Sequence, residues 1–558
     1  MGTVSAAVED PLPQVRRGAM VGLLRNGGIE GALGAGTRLL QLAKSTDAAE
    51  RVYACQVLGE VGIRGFYQPL MPLLLDETFQ VRRAALQAAG QIKNPRLWPE
   101  VMQGLKLRLV RSAAISALVN AGPEVLPEFS QAYAQDGQDR SALVEVCGRI
   151  GGHEAIAWLK ERLVEPNVNL RTQVLRSLSR CGYQARPEEV TLIRRQIDAE
   201  AALAVGHLAV MADLGECDAN QLLRDALGHI LAQDLERIFF LLSFIYDART
   251  ILGARDNLAL AAADRRSYAM EILDVSLGQD IKKWLFPLLN KLSPGQTLQQ
   301  LKNSFPQTQR SCVQRLQAII NGSKNDFTTW MKACALYTVG RMHLDELSMT
   351  VADALAGSDA LINETAAWTL SRLKENGANP KGQPLPASPQ LDQAAGILNK
   401  PRTGSSTMLT TIEKVIALKK VSIFAATPDE TLVDVAALLE EVDVDAGERI
   451  IEKGDLGDCM YIIVDGEVKV HDGDITLNKL AAGDVFGEMA VLDSEPRSAS
   501  VTALVNTSLL RLAQEPLYAL TDEQPEVARR IIRVLSRHLR ARIQDMNDLR
   551  SQLEQEKQ

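Results

Sequence analysis

Between residues 1 and about 375 one short pattern recurs: PQVRRGAMVGLL, AERVYACQVLGEVG, FQVRRAALQAAGQI, LVRSAAISALVNAG, DRSALVEVCGRIG and NLRTQVLRSLSRCG. Its arginines fall at Arg16, Arg51, Arg82, Arg111, Arg140 and Arg171, at intervals of 29 to 35 residues. Three residues further on stands a mostly apolar column, Ala19, Ala54, Ala85, Ala114, Leu143 and Val174, and eight further on several repeats carry glycine, at Gly59, Gly90 and Gly148. The apolar spacing is helical, and the Asp or Glu that often precedes each stretch supplies helix N-terminal chemistry. Small residues at the glycine column let helices approach closely. Each unit therefore reads as a helix, a tight turn and a second helix. Two helices in about 30 residues cannot bury their own apolar faces, so neighbouring units must stack. The N-terminal part of the chain is accordingly expected to be an all-α solenoid.

The pattern D-x-x-x-VRR-AA-x-x-x-G resembles HEAT repeats, most clearly over residues 8 to 182. From about 188 to 325 the helices lengthen and the arginine column is lost, and MKACALYTVGRM (Met331 to Met342) and NETAAWTLSRL (Asn363 to Leu373) recover the look. The resemblance implies that each arginine pairs with an acidic residue of the neighbouring repeat. The alternative is an anion-binding stripe. The aromatic run FFLLSFIY, Phe239 to Tyr246, reads as core.

Composition narrows the function classes. A formal net charge of -8 and a pI near 5.5 give no global reason to bind nucleic acid or an anionic membrane. The seven cysteines stand singly, with no C-x-x-C pair and no histidine at ligand spacing, which points to reduced thiols in a cytosolic compartment and to no metal site. No apolar run reaches the roughly 18 to 20 residues of a membrane helix, and the start lacks signal-peptide order. The opening Met-Gly fits myristoylation poorly, since position 6 is Ala. A cytoplasmic protein is expected, with attachment to the inner face of a membrane through a partner or a missing segment as the variant.

The stretch ENGANPKGQPLPASPQLDQAAGILNKPRTGSS is rich in Pro, Gly, Asn and Ser and has no sustained helical period. It sets expected boundaries: solenoid 1–375, flexible linker 376–406, a second domain 407–548 and a tail 549–558. Two helices should open the second domain. The first carries Leu409, Ile412, Val415, Ile416 and Leu418 at helical spacing, and the second follows a Thr427 cap with Glu430 three residues later and runs to about Val442. From Glu441 the period falls to about 2 and glycines divide short runs such as ERII, MYIIV, EVKV and ITLNKL, later joined by ASVTAL and TSLLRLA. Short strands with glycine turns make a small roll or barrel. Helix returns from about Pro516. The fold class is thus a multidomain chain, an N-terminal all-α solenoid of HEAT-like helical repeats followed by a C-terminal β-roll with flanking helices.

Within that roll lies FGEMAVLDSEPRSASVTA, Phe486 to Ala503. A single helical turn from Gly487 would present unpaired N–H groups that suit an anion. Arg497, just after Pro496 on extended backbone, can aim its planar fork at the same anion. Glu488 would repel a phosphate unless it accepts hydrogen bonds from hydroxyls of the same ligand, and a ribose 2′-hydroxyl meets that need. A 3′,5′-cyclic nucleotide offers both groups.

Residues from about 408 to 548 resemble the cyclic nucleotide-binding domains of the catabolite activator protein and of protein kinase A regulatory subunits. The family cassette, F-G-E-[LIM]-A-L followed by R-[ST/A]-A-x-V, is matched by FGEMAV and RSASV. The resemblance implies that Glu488 holds the ribose 2′-hydroxyl and Arg497 the equatorial phosphate oxygen. Backbone around Gly487, Met489 and Ala499 would help cradle sugar and phosphate, Ser498 could donate a hydroxyl to phosphate or base edge, and Phe486 and Ala490 are counted among the ligand-binding residues. Alignment from Pro525 brings Arg542 to the place where the family caps the purine, where it can stack. Cyclic AMP is favoured over cyclic GMP, because no guanine-reading group is evident.

Three readings compete with a cyclic-nucleotide-sensing regulatory or adaptor protein that offers its solenoid to a protein partner. A HEAT-like bilin lyase would be an enzyme, but the six histidines are isolated and no nucleophile–base set, P-loop, metal cluster or cofactor motif supports catalysis. A transcription factor would need a helix-turn-helix, which the sequence lacks after the nucleotide domain. The order of repeats, linker and nucleotide domain is also similar to the soluble C-terminal half of bacterial proteins related to ATP/ADP-type nucleotide transporters. The chain opens inside a repeat, which fits a fragment or a lost membrane transporter domain as partner.

Overall fold

The computed structural model describes residues 7–523 apart from 11, 136–138, 260–262, 291, 324–326, 376–408, 422–423, 425–426, 428 and 488–495, and beyond them only 528, 532 and 536. The chain divides into two units, residues 1–204 with 232–289 and residues 205–231 with 290–558. The N-terminal part is mostly helical and the C-terminal part is a β-sandwich with helices.

In the first unit the arginine stretches become the helices Ala48–Val61, Phe79–Ile92, Arg111–Ala121, Arg140–Ile150 and Val168–Arg180, each packed on the next. Their apolar column is the buried seam, with Ala54, Ala85, Ala114, Leu143 and Val174 all at 1% exposure or less. The segments between them are less regular than a second helix. Arg64–Leu74 and Pro95–Lys106 are assembled from 3₁₀ turns and single α-helical turns. Pro69, Pro72, Pro95 and Pro99 withhold backbone donors there, which prevents a continuous helical ladder.

The glycine column sits where consecutive helices touch. A Cβ on Gly90 would lie 2.8 Å from the Cα of Ala117, and one on Gly148 would lie 3.0 Å from the Cα of Ser177. Main chain cannot yield as a flexible side chain would. Gly90→Ala should therefore destabilise the chain by about 1–3 kcal/mol, the usual cost of overpacking. A urea titration reads this as a lower midpoint at constant slope; an unmoved midpoint would show that these helices part freely.

The arginines form the expected ladder in part. Arg51 grips Asp76 through Nε and Nη2 at 2.7 and 3.0 Å, Arg111 meets Asp139 at 2.7 Å, and Arg171 meets Glu200 at 2.6 Å, each acid lying in the following repeat or the helix after it. The others turn to carbonyls or a ring: Arg82 donates to the Asp76 carbonyl, Arg140 to that of Tyr133, and Arg16 lies over Tyr53. At the end of the ladder the charges go fully inside. Glu200, on the helix Val190–Leu214, accepts from Arg171 at 2.6 Å and from Arg237 at 2.7 Å. Arg237 also donates to Asp234 at 2.5 Å and to the Thr172 hydroxyl at 3.2 Å. Glu200, Asp234 and Arg237 are each 1% exposed or less. Phe239, Phe240 and Phe244 are buried beside them, as core.

In the second unit the helices Thr329–Met342 and Ala360–Glu375 pack together, and Thr411–Lys420 and Asp429–Ala436 follow residues 376–408. One apolar core draws on helices from both sides of that segment. Trp330, Leu336, Val339 and Leu370 share it with Ile412, Val415, Leu418, Leu432 and Val435. Met460 and Ile462 of the roll, with Leu510 and Leu512, close it.

Eight strands then form two antiparallel sheets, β1 (Glu440–Val444), β8 (Thr507–Ala513), β3 (Cys459–Asp465) and β6 (Val485–Phe486) in one, β2 (Arg449–Ile451), β7 (Ser500–Ala503), β4 (Glu467–Asp472) and β5 (Ile475–Ala481) in the other. Val444, Ile463, Phe486 and Leu509 from the first sheet meet Ile451, Val468, Val501 and Ala503 from the second in a core of their own. Strand β3 is apolar on both faces because Ile463 points between the sheets and Met460 and Ile462 point to the helices. Glycines at positive φ, such as Gly466 at 102°, turn the chain between strands.

Two local expectations fail. The buried Thr427 hydroxyl makes no hydrogen bond among the described residues, so it does not cap the helix that starts at Asp429. That helix stops at Ala436 rather than near Val442, because Glu440 to Val444 pair with β8 and Glu440 meets Arg511 across the ladder at 2.8 Å. All seven cysteines are free, and Cys217 is exposed. Among the described residues no helix is long and apolar enough to cross a membrane, and no group of His, Cys, Asp and Glu could hold a metal ion.

Candidate functional site

The cassette begins where β6 ends. Phe486 pairs with Tyr461 of β3 and stacks on its ring, with centroids 5.2 Å apart and planes 19° from parallel. This fixes the point at which the chain leaves the sheet. Gly487 then takes φ 77°, a conformation that strains residues bearing a Cβ.

Arg497 reaches the same point from the other sheet. Its main chain is clamped to the turn before β3, its N–H donating to the Asp455 carbonyl at 2.8 Å and its carbonyl accepting from Gly454 at 2.9 Å. A bridge between Leu456 and Pro496 extends the clamp. The side chain then folds over the end of β3. Nη2 donates to the Cys459 carbonyl at 2.8 Å and lies 3.6 Å from its sulfur, and Nη1 donates to the Gly487 carbonyl at 3.3 Å. A Cβ at Gly487 would come within 2.6 Å of Nη1. The glycine thus serves both the turn and the close passage of the guanidinium. A guanidinium has five N–H donors, and Nε makes no hydrogen bond among the described residues. The fork is aimed by these main-chain carbonyls.

The surroundings are half-buried. Burial and the hydrogen bond to Cys459 push the Tyr461 hydroxyl up to about 12. Cys459 and then Glu440 raise the Arg511 guanidinium further above its already high ordinary value. Ser498 is exposed, Ala499 is half-buried, and Ser500 is buried with its hydroxyl accepting from the Lys453 N–H at 3.0 Å. The structure therefore brings together Phe486, Gly487 and Arg497, with Ser498 and Ala499 leading into β7. Glu488, Met489, Ala490 and Arg542 lie outside the described residues.

Sequence reasoning missed Cys459 and Tyr461. Both were readable only as members of an apolar strand, since spacing does not reveal that β3 lies beside β6. The alternation in CMYIIV, with a thiol and a phenol among aliphatic residues, is the one signal that marks them.

Both parts of the chain resemble known proteins. Residues 441–524 match the family described as cyclic nucleotide-binding domain, and residues 37–119 match HEAT repeats. A CRP-like cAMP-activated global transcriptional regulator of Mycobacterium tuberculosis is 28% identical over 137 residues, which are 24% of this chain and 61% of that protein. The cyclic AMP receptor protein of Thermus thermophilus is 40% identical over 99 residues, 17% of this chain and 46% of that one. A cAMP-dependent protein kinase regulatory subunit of Dictyostelium discoideum is 35% identical over 121 residues, 20% of this chain and 37% of that one. The chain spans less than two thirds of each of these relatives. It carries HEAT repeats in its N-terminal part and a C-terminal cyclic nucleotide-binding domain of the type found in the catabolite activator and kinase regulatory proteins.

Proposed function

We propose that the C-terminal domain senses cyclic AMP, and cyclic GMP less well, and that the chain is a cytoplasmic regulatory or adaptor protein whose helical repeats engage a protein partner. It performs no catalytic step of its own. The observation that carries this reading is the Arg497 fork, held by the carbonyls of Cys459 and Gly487 with donors in reserve. A ring-constrained phosphate offers the acceptors that such a fork fits.

In this reading Arg497 takes the phosphate and Glu488 the ribose 2′-hydroxyl. Backbone at Gly487, Met489, Ala490 and Ala499 lines the sugar and phosphate, Phe486 anchors the turn, Ser498 supplies a hydroxyl, and Arg542 stacks on the purine. Titration calorimetry of the full chain tests it, with tighter binding of cyclic AMP than of cyclic GMP expected. No heat from either nucleotide at millimolar concentration would end the reading.

Glu488 has a test of its own. Glu488→Ala should weaken cyclic AMP on the order of tenfold or more, the loss of a charge-assisted hydrogen bond. The same change should leave 2′-deoxy cyclic AMP nearly unaffected, because that ligand already lacks the hydroxyl. Equal losses for both ligands would make Glu488 a structural acid.

A further inference from the structure

Asp429 is a carboxylate that the cassette does not use, and it is only 6% exposed. It opens the helix Asp429–Ala436, where an acid could be satisfied by its own helix dipole alone. It draws instead on three other helices. The Trp330 indole N–H, on Thr329–Met342, donates to Oδ2 at 2.9 Å. Lys419, near the end of Thr411–Lys420, places Nζ 2.7 Å from Oδ1. His229, on Gln221–Ile245, brings Nδ1 to 3.6 Å from Oδ2.

Trp330 and His229 stand on helices that precede residues 376–408, and the carboxylate and lysine stand on helices that follow them. Burial opposes the charge on Asp429, but His229 and Lys419 outweigh it and hold the carboxyl below its ordinary range. Asp429 in turn raises the His229 imidazole. A buried carboxylate is costly unless every partner is in place, so its position fixes the four helices against one another.

From this point a continuous path leads to the cassette. The Asp429–Ala436 helix runs within four residues into β1, and the sheet order β1-β8-β3-β6 ends at Phe486, beside Gly487. We propose that Asp429 is the clasp that joins the final helical repeats to the nucleotide-binding domain, and that occupancy of the cassette reaches the repeats through it. The second half of this proposal rests on the cyclic-nucleotide reading given above; the first half does not.

Hydrogen exchange on the full chain, comparing the parent with Asp429→Asn and Lys419→Met, decides both halves. Without nucleotide, each variant should speed exchange in Thr329–Met342 and in Asp429–Ala436 on the order of tenfold or more, as expected for the loss of a buried ion pair. Strands β3 and β8 should stay level. If both variants leave both helices at the parent rate, the clasp is refuted, and Asp429 is a helix-terminal acid only. The lysine variant attacks the same pair from the other side and keeps the test decisive if the aspartate variant does not fold.

With cyclic AMP added, the parent should change in the roll and in Thr329–Met342, and Asp429→Asn should bind equally well yet change in the roll alone. A Thr329–Met342 response that persists in Asp429→Asn, or is missing from a parent whose roll responds, overturns the relay. A parent whose roll ignores cyclic AMP would refute the nucleotide reading, while the nucleotide-free comparison still decides the clasp.

Discussion

Arg497→Ala is expected to weaken cyclic AMP binding about 30-fold to several thousand-fold, or about 2–5 kcal/mol, the cost of leaving one half of a desolvated, hydrogen-bonded charge pair without its partner. The geometry argues for the upper part of that range. Arg497 is half-buried against β3, and its guanidinium spans the Cys459 and Gly487 carbonyls, so on the proposed reading its removal would take away the counter-charge and also uncover two acceptors beside the phosphate. Those carbonyls would then repel the anion they had helped to place. Arg497→Lys should rescue little, because one ammonium cannot hold both carbonyls and present a planar pair of donors as well. Calorimetry with each variant measures the loss, and affinity unchanged in the alanine variant would remove Arg497 from the site.

The second large effect belongs to the first unit. Glu200→Ala leaves the Arg171 and Arg237 guanidinium groups facing each other in a buried place, and should destabilise that unit by about 3–5 kcal/mol, the usual result of breaking a buried ion pair from one side. The side chains of Glu200 and Arg237 are 2% and 1% exposed, so solvent screens almost none of the charge left behind. Replacing Glu200 and Arg237 together by Leu and Met should not restore the parent stability, since the buried Asp234 then loses Arg237 and Arg171 still lacks its acid. Chemical denaturation followed by circular dichroism compares the two. A single variant as stable as the parent would mean that water or a shifted acid takes over the role of Glu200.

These expectations combine residues that the sequence exposes with others it conceals. The arginine and glycine columns of the repeats were legible because each recurs at a fixed place in a helical pattern, and their roles in packing followed from size and charge. Which partner each arginine takes was not legible. Arg82 and Arg140 turn to carbonyls, a choice set by loop conformation rather than by residue type. The strands of the roll were legible from their period of 2, except that LLEEVDV continues the preceding helical pattern until β8 claims it.

At the site, Gly487 and Arg497 stand out because few folds need that pair of residue types ten apart after a strand. Cys459 and Tyr461 do not stand out, since their part depends on β3 lying beside β6, a neighbour relation created by topology. The core shared across residues 376–408 was hidden for a similar reason. Periodicity shows that Ile412, Val415 and Leu418 share an apolar face, but it does not say that Trp330 and Leu370 cover it.

The carbonyl-held Arg497 also bears on the tempo of a response. A fork already aimed before its ligand arrives spares the about 0.5–1.5 kcal/mol of ordering that a free arginine would lose on binding. Capture then waits on diffusion and entry more than on rearrangement at this residue, and differences between related ligands fall mainly on the rate of escape. On the proposed reading of the C-terminal domain as a nucleotide sensor, the lifetime of the bound state would set how long each pulse is remembered.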